Sequence, residues 1–376
     1  MQLIYFSPVP WNSHRQRPQE FVHWFHERFA APVLWVEPYP GRLPRWADLR
    51  RPAPQSAGEG EVPAWLERVT PRALPFEPFA WGRTLNRTLL WRGLVQHLQA
   101  AAARDATMLA IGKPSHLALH TLESLQPAFS LYDAMDDFPA FYRGRSRDGM
   151  AALERQLVMG VRCHCASSTA LETRLQGFGT KVLHVPNGLS ATRCQAAWPY
   201  RAGHPRSLGY VGTIGSWFDW DWVCRLARAW PDRPVEIIGP LFQPPPATLP
   251  QNVALLPALR HDLALRRMAS FAAGLIPFRV NALTASVDPL KYYEYRGLGL
   301  PVLSTPFGEM IRHGSADPGV LLTPDPAADR AGIDALLARP EPGADREAFC
   351  AQHDWRRRFD ILLSCLEAPG VRVPEV

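Results

Sequence analysis

Short apolar runs alternate with amphipathic stretches along the whole chain. In the first half, the apolar runs predict buried strands at 3–6, 33–36, 108–111, 129–132, 162–166 and 181–185. Between them, apolar residues recur every three or four positions, which is typical of amphipathic helices and predicts them near 82–103, 149–158 and 168–176. Apolar strands separated by helices indicate a parallel sheet covered on both faces.

The second half repeats this alternation. It predicts strands at 208–211, 235–238, 253–255, 274–276 and 302–304, and helices near 221–230, 261–271, 289–298, 326–338 and 345–366. An irregular polar stretch at 195–206 predicts a linker. We therefore expect two Rossmann-like, doubly wound α/β domains, at residues 1–195 and 206–345, followed by a C-terminal helix in 346–376.

Composition narrows the class of protein. The 376 residues suit two domains, and the net charge of +6 suits a peripheral enzyme near anionic lipid or a phosphorylated substrate. No zinc-finger, RNA-recognition or helix-turn-helix signature indicates nucleic-acid binding. Among 41 basic residues only Lys113, Lys181 and Lys291 are lysines. This preference for arginine over lysine is typical of a bias in codon usage. A lysine retained in such a chain also indicates a position that needs a compact positive charge.

The cysteines and the N-terminus predict an intracellular protein. Cys163-His164-Cys165 has the only close cysteine spacing, and alternation favours a buried strand over a zinc site. The scattered cysteines fit a reducing cytoplasm. The stretch 1–6 lacks the features of a signal peptide, and no apolar run reaches the roughly 18 residues of a membrane span.

The segment 288–302 carries the strongest chemical signal. Asp288 can cap a helix and Pro289 suits its first turn, so the helix start would offer free N–H groups to an anion. Lys291 adds a full positive charge beside a diphosphate. Glu294, one turn later on the same face, suits the hydroxyls of a ribose or sugar. The alternative is a structural helix with a solvated lysine.

A glycine-containing turn follows the first strand of the second half. Gly212, Thr213, Gly215 and Ser216 predict a close backbone approach to a phosphate or sugar. Their spacing is not the Gly-x-Gly-x-x-Gly dinucleotide fingerprint, so this turn is a generic signal by itself.

Two loops of the first half carry candidate chemistry. Asp133, Asp136 and Asp137 follow a strand and predict a general base, since crowded carboxylates raise one another's pKa; helix capping and a metal site are the alternatives. The loop after the first strand carries His14, Arg15 and Arg17, which can hold an anionic acceptor or be exposed residues without a role.

The predicted helix near 82–103 has a basic amphipathic composition. Its apolar and basic residues are Trp81, Leu85, Leu89, Leu90, Trp91 and Leu94 with Arg83, Arg87 and Arg92. Such a helix can lie on anionic lipid, or it can be an ordinary helix of the first domain.

Together these segments resemble the GT-B glycosyltransferases, in the group-1, family-4-like branch near teichuronic-acid and exopolysaccharide transferases. The resemblance implies two domains facing a cleft, a UDP- or GDP-linked sugar donor in the second domain, a carbohydrate or polyprenyl-linked acceptor in the first, no metal or other cofactor, and a last helix returning to the first domain. The matching residues are Arg15-Gln16-Arg17-Pro18-Gln19, Tyr132-Asp133 with Asp136-Asp137-Phe138, Pro186-Asn187-Gly188, Gly209-Tyr210-Val211-Gly212 with Trp217-Phe218-Asp219, and Pro289-Leu290-Lys291 with Glu294-Tyr295 and Gly299-Leu300-Pro301-Val302.

Two departures from this family keep the mechanism open. Ser286 stands where the family often has the first Glu of Glu-x7-Glu, and 217–221 lacks the basic residues often found there. A carboxylate base in the first domain suits inversion, whereas the family pattern suits retention. The expected activity is glycosyl transfer in surface-polysaccharide assembly at the cytoplasmic face of the membrane. A GT-B-shaped nucleotide-sugar epimerase and a non-catalytic binding subunit are the alternatives.

Overall fold

The chain forms two compact units, each with its own parallel sheet. The computed structural model describes residues 1–39, 62–77, 79–200, 206–339 and 343–366, apart from the side chains of 343 and 344. The first unit contains Met1–Pro186 and the C-terminal segment from Phe359, and the second unit contains Asn187–Arg358. Two parallel-sheet α/β units confirm the predicted fold class.

The described part of the first unit contains a seven-stranded parallel sheet in the order β3-β2-β1-β4-β5-β6-β7. Its strands are β1 Gln2–Phe6, β2 Val33–Val36, β3 Leu66–Val69, β4 Thr107–Ile111, β5 Phe129–Ala134, β6 Cys163–Ala166 and β7 Leu183–His184. Its helices are α1 Arg17–Phe29, α2 Ala80–Leu85, α3 Arg92–Ala102, α4 His116–Leu125, α5 Arg145–Gly160 and α6 Thr169–Gln176, with a π-helical turn at Asn86–Leu90 and a 3₁₀ turn at Phe138–Phe141.

The second unit contains, in its described residues, a six-stranded parallel sheet in the order β10-β9-β8-β11-β12-β13. Its strands are β8 Leu208–Val211, β9 Val235–Ile238, β10 Val253–Leu256, β11 Ala273–Ile276, β12 Val302–Ser304 and β13 Val320–Leu322. The helices that follow in the chain are α7 Ala191–Ala197, α8 Trp220–Ala229, α9 His261–Ala269, α10 Leu290–Gly297, α11 Met310–Ala316, α12 Arg330–Ala338, α13 Gly343–His353, α14 Trp355–Asp360 and α15 Leu363–Leu366, with a 3₁₀ turn at Trp198–Tyr200.

Two predicted helices are interrupted in the structure. The helix expected near 82–103 is α2, the π-helical turn and α3, in which the fully buried Asn86 binds the backbone N–H and C=O of Leu74 through its side-chain amide. These side-chain bonds fix Asn86 where the helix departs from regular α geometry. The helix expected at 345–366 is likewise divided into α13, α14 and α15.

The boundary between the units lies earlier than the predicted linker at 195–206. Leu189, Cys194 and Ala197 pack into the core of the second unit, so the chain has entered that unit before α7 begins. The polar segment 195–206 therefore does not mark the boundary between the two units, which lies between Pro186 and Asn187.

The C-terminal segment is anchored in the first unit. The Phe359 ring packs against Phe21 and Trp24 of α1, with centroids 5.2 and 5.7 Å away. Cys365 forms a disulfide with Cys163 of β6. Neither the cysteine spacing nor the expectation of cysteines kept reduced in a cytoplasm indicated this pair. The predicted buried strand at Cys163-His164-Cys165 is confirmed. Within the described residues, no group of three His, Cys, Asp or Glu side chains is placed to hold a metal.

Candidate functional site

The start of α10 is the strongest candidate site of the second unit. The helix begins after the loop that leaves β11, at the carboxyl edge of the parallel sheet, where ligands of such sheets bind. Pro289 precedes the first helical residue and provides no side-chain cap. The Tyr292 N–H already donates to the Pro289 carbonyl at 3.1 Å, so the first turn offers an anion the N–H groups of Leu290 and Lys291 and the positive end of the helix dipole.

Lys291, Glu294 and His261 form a hydrogen-bonded cluster at this helix start. Lys291 Nζ lies 2.5 Å from Glu294 Oε2, and His261 Nε2 lies 2.9 Å from Glu294 Oε1. Burial favours the neutral form of Glu294, but Lys291 and His261 outweigh it and lower its pKa to about 2. Glu294 is therefore ionised at neutral pH and accepts hydrogen bonds, as ligand hydroxyls require. Sequence spacing did not indicate His261, which lies 33 positions before Glu294.

Asp288, two residues before the first residue of α10, anchors the start of this helix to its surroundings. Its buried carboxylate accepts hydrogen bonds from the Asn187 N–H at 2.8 Å and the Tyr293 hydroxyl at 2.9 Å, and lies 3.0 Å from His313 Nε2. The predicted capping role of Asp288 is wrong, because Pro289 occupies the N-cap position. These bonds also give Asn187 a structural role, because its side-chain amide donates to the Asp288 carbonyl at 2.7 Å.

The glycine turn after β8 is held against β9. The Gly212 and Ile214 N–H groups donate to the carbonyls of Ile238 and Pro240, so neither is available to a ligand. Gly239 has a φ of 145°, and a Cβ there would lie 2.0 Å from the Gly212 oxygen. The turn therefore requires glycine for close backbone packing. The predicted donor contacts of Gly212, Thr213, Gly215 and Ser216 stay predictions.

The segment Trp217-Phe218-Asp219, which departs from the family pattern, has packing and capping roles. Phe218 is fully buried, and Asp219 Oδ1 caps α8 by accepting a hydrogen bond from the Trp222 N–H at 3.0 Å. The Trp217 ring covers Gly215, where a Cβ would come within 2.6 Å of it. Aromatic packing thus occupies the positions at which basic residues are expected.

Asp133 and Arg17 form a buried ion pair in the first unit. Arg17 Nη2 lies 2.7 Å from Asp133 Oδ1, and Arg17 Nη1 donates to the Val185 carbonyl at 2.8 Å. The two side chains are only 3 and 0 % exposed, and the Cys165 thiol also donates to Asp133. This burial contradicts a catalytic role for Asp133 and an acceptor-binding role for Arg17, because neither group is accessible to a substrate. Asp133 lies within β5, where the side chains face the core.

Asp136 has the properties of a general base. It lies in the loop after β5 and is half-buried. Burial, reinforced by the Asp137 carboxylate and opposed by Arg17, raises the pKa of Asp136 to about 7. A base is most effective when its pKa lies near the working pH. Asp137 is 22 % exposed with an oxygen 3.9 Å from Arg174. The catalytic roles of Asp136 and Asp137 stay predictions.

The other two residues predicted to bind an acceptor lie in the loop between β1 and α1. Arg15 Nε lies 2.6 Å from Glu20 Oε1, with 27 % of its side chain exposed. His14 is exposed. Both are accessible to solvent, and their acceptor contacts stay predictions.

An apolar, arginine-containing surface lies along α2 and the π-helical turn. Trp81 and Leu89 are 54 and 69 % exposed, and Leu85 and Leu90 are 36 % exposed, whereas Trp91 is fully buried. Arg87 is exposed on the same segment. No helix in the described part of the chain is long and apolar enough to cross a membrane.

Solved structures of other proteins share the fold of this chain. Neither protein-family profiles nor curated protein sequences match the chain. Solved structures do: Anabaena HepE, in complex with UDP, has a TM-score of 0.62, covering 98 % of this chain and 100 % of that one at 12 % identity. The chain has the GT-B fold.

Two further GT-B structures are similar over nearly their full length. Sucrose-phosphate synthase from Thermosynechococcus elongatus has a TM-score of 0.60 at 16 % identity, covering 97 % of both chains. The UDP-forming α,α-trehalose-phosphate synthase from Burkholderia vietnamiensis has a TM-score of 0.58 at 14 % identity, covering 97 % of this chain and 98 % of that one. The fold expected from the resemblance is therefore confirmed.

Proposed function

We propose that this protein is a metal-independent glycosyltransferase that transfers a hexose from a UDP- or GDP-linked sugar to a carbohydrate or polyprenyl-linked acceptor. The observation that carries the proposal is the Lys291–Glu294–His261 cluster at the uncapped start of α10. A lysine beside a helix N-terminus suits a diphosphate, and an ionised carboxylate suits sugar or ribose hydroxyls. HepE has been determined with UDP-glucose as well as UDP, which supports the same donor class.

In the proposed reaction, Asp136 accepts the proton of the acceptor hydroxyl. The hydroxyl oxygen bonds to the anomeric carbon as the bond from that carbon to the diphosphate oxygen breaks. Lys291 and the first turn of α10 stabilise the negative charge that develops on the departing nucleoside diphosphate. Asp136 is suited to its role because its pKa of about 7 leaves it substantially ionised at neutral pH.

We further propose that the reaction serves bacterial surface-polysaccharide assembly at the cytoplasmic face of the membrane. The exposed Trp81, Leu85 and Leu89, with Arg87 on the same segment, support contact with an anionic lipid surface. Such contact would bring a polyprenyl-linked acceptor to the enzyme.

A donor screen tests the proposed activity. Purified protein is incubated with UDP-glucose, UDP-galactose, UDP-N-acetylglucosamine or GDP-mannose, with and without carbohydrate acceptors, and released nucleoside diphosphate is measured. We expect release from at least one donor, and a much smaller release by Glu294→Gln. A protein that binds a donor but interconverts its sugar, without releasing nucleoside diphosphate, would instead be an epimerase.

A further inference from the structure

The first unit contains a large cavity that the donor chemistry does not use. It measures about 1670 Å³ and opens at the carboxyl ends of β1, β2 and β4, between α2 and the start of α5. Pockets for single small ligands typically measure about 300–1,000 Å³, so this cavity has room for an extended ligand.

Lys113 is the most unusual side chain of the cavity wall. It is one of three lysines in an arginine-rich chain and lies in the loop between β4 and α4. It is half-buried, and in the described part of the chain its ammonium group has no hydrogen bond or ion pair within contact distance. Its pKa is lowered by burial, and the charge of Glu77 opposes this effect. A ligand oxygen that accepts its hydrogen bonds would offset the cost of burial.

Glu77, the charged neighbour of Lys113, is already engaged with the protein. The Tyr39 hydroxyl donates to Glu77 Oε1 at 2.7 Å and itself accepts from the Leu117 N–H at 3.2 Å. Burial raises the pKa of Glu77 to about 7, against the influence of Tyr39, Arg83 and Lys113. At neutral pH, Glu77 therefore neutralises Lys113 only in part.

The remaining charges of the wall favour an anionic ligand. Five basic residues, Arg83, Arg87, Lys113, Arg143 and Arg145, line the cavity with three acidic ones, Glu37, Glu77 and Glu123. Glu37 pairs at 2.8 Å with Arg68, which is not part of the wall, whereas Glu123 lies 3.8 Å from Arg87 of the wall itself. Arg83, Arg143, Arg145 and Lys113 then face Glu77 alone, which leaves an excess of positive charge. A dianion such as phosphate complements this excess of positive charge.

We propose that this cavity binds the phosphate or diphosphate group of a phosphorylated acceptor, with Lys113 as the residue that contacts it. The proposal rests on the glycosyltransferase function proposed above and specifies its acceptor class. Side chains carry this site, because the Leu117 and Ala118 N–H groups of α4 already donate to Tyr39 and Ser115. Phe79 and Phe141 line the same cavity, each 52 % exposed, and offer rings to the uncharged part of the ligand.

Binding measurements on lysine variants test the proposal. Calorimetry is performed with a sugar phosphate (glucose 6-phosphate) and a prenyl diphosphate (geranyl diphosphate), and with glucose and geraniol as uncharged counterparts. Lys113→Met removes the charge at similar volume, and Lys181→Met is the matched control because Lys181 is exposed elsewhere. We expect Lys113→Met to weaken binding of the phosphorylated probe by roughly tenfold to a hundredfold, the range for a charged hydrogen bond, and Lys181→Met to leave it unchanged.

The two probes distinguish a soluble acceptor from a lipid-linked one, and saturable binding of either one that depends on Lys113 supports the proposal. UDP affinity serves as a separate readout: it reports the donor site and the integrity of the fold, and both variants should retain it. The proposal is overturned if neither phosphorylated probe binds, if the uncharged counterparts bind equally well, or if Lys113→Met binds as tightly as the wild type while UDP binding persists.

Discussion

Replacing Asp136 by asparagine should stabilise the protein and inactivate it. The side chain is half-buried, and its ionised form is disfavoured first by burial and then by Asp137. In the folded chain its pKa is raised from 3.8 to about 7. A folded state that binds its proton more tightly than the unfolded state loses stability as pH rises from the unfolded pKa to the folded one. Asparagine carries no such proton, so the variant should not show this loss.

The magnitude follows from the pH interval. Between pH 5 and the folded pKa of about 7, the wild type loses at most about 3 kcal/mol, at roughly 1.4 kcal/mol for each pH unit. Because water still reaches the side chain, we expect the wild type to lose only about 1–2 kcal/mol of its free energy of unfolding over this interval. Urea unfolding at pH 5 and pH 8 measures the difference for the wild type, Asp136→Asn and the control Asp232→Asn, which changes an exposed carboxylate.

Asp136→Asn should lower turnover even though it raises stability. If Asp136 accepts the acceptor proton, the wild-type kcat/KM should rise with pH through about 7. Asp136→Asn should lower turnover by at least about a hundredfold while UDP affinity persists. The stability argument fails if the advantage of Asp136→Asn over the wild type in free energy of unfolding is no larger at pH 8 than at pH 5. The base assignment fails separately if the variant stays fully active, and Asp137 would then be the remaining carboxylate of this loop.

Three further substitutions test the donor-site carboxylate, the buried ion pair and the apolar surface of the first unit. Glu294→Gln should lower turnover in a protein that still folds, with some loss of stability at neutral pH, because it keeps the shape of the side chain but removes the charge that Lys291 and His261 stabilise; wild-type kinetics would contradict the role of Glu294. Arg17→Met should destabilise the first unit by about 3–5 kcal/mol in urea unfolding, since it leaves the Asp133 charge buried without its partner, and a loss below about 1 kcal/mol would speak against that pairing. Leu89→Glu should reduce cosedimentation with phosphatidylglycerol vesicles at low salt, with Met159→Glu as control because Met159 is 65 % exposed on another helix; equal sedimentation of both variants, or none by the wild type, would count against membrane contact through this surface.

The apolar runs predicted the central strands because these strands are buried throughout. Val235–Ile238 is an example in which every residue is buried. The pattern missed two described strands, Leu66–Val69 and Val320–Leu322, and each lies at the edge of its sheet. Leu66–Val69 contains exposed Glu67 and Arg68, so its composition resembles that of a loop. Burial on both faces, rather than strand formation itself, is what the apolar pattern detects.

Candidate chemistry was predictable where it depends on local spacing. Lys291 and Glu294 are three positions apart on one helix, and their contact follows from that spacing. The contact of Glu294 with His261 joins two helices, which local spacing does not reveal.

The acidic residues after β5 also show that sequence does not distinguish the environments of neighbouring side chains. Asp133 and Asp136 are three positions apart, yet one ends in a buried ion pair with Arg17 and the other in a half-buried loop. The difference depends on the residue at which β5 ends. The structure extends this strand to Ala134, past the predicted end at 132, and thereby places Asp133 within the core.

The most direct test of the donor site is calorimetric titration of UDP and GDP into the wild type, Lys291→Ala and the control Lys181→Ala. We expect at least one of these nucleotides to bind the wild type and the control equally. Lys291→Ala should bind it more weakly by roughly 1.5–3 kcal/mol, the range for hydrogen bonds to charged groups. Equal affinity in Lys291→Ala, or no binding of either nucleotide by the folded wild type, would contradict a donor diphosphate at the start of α10.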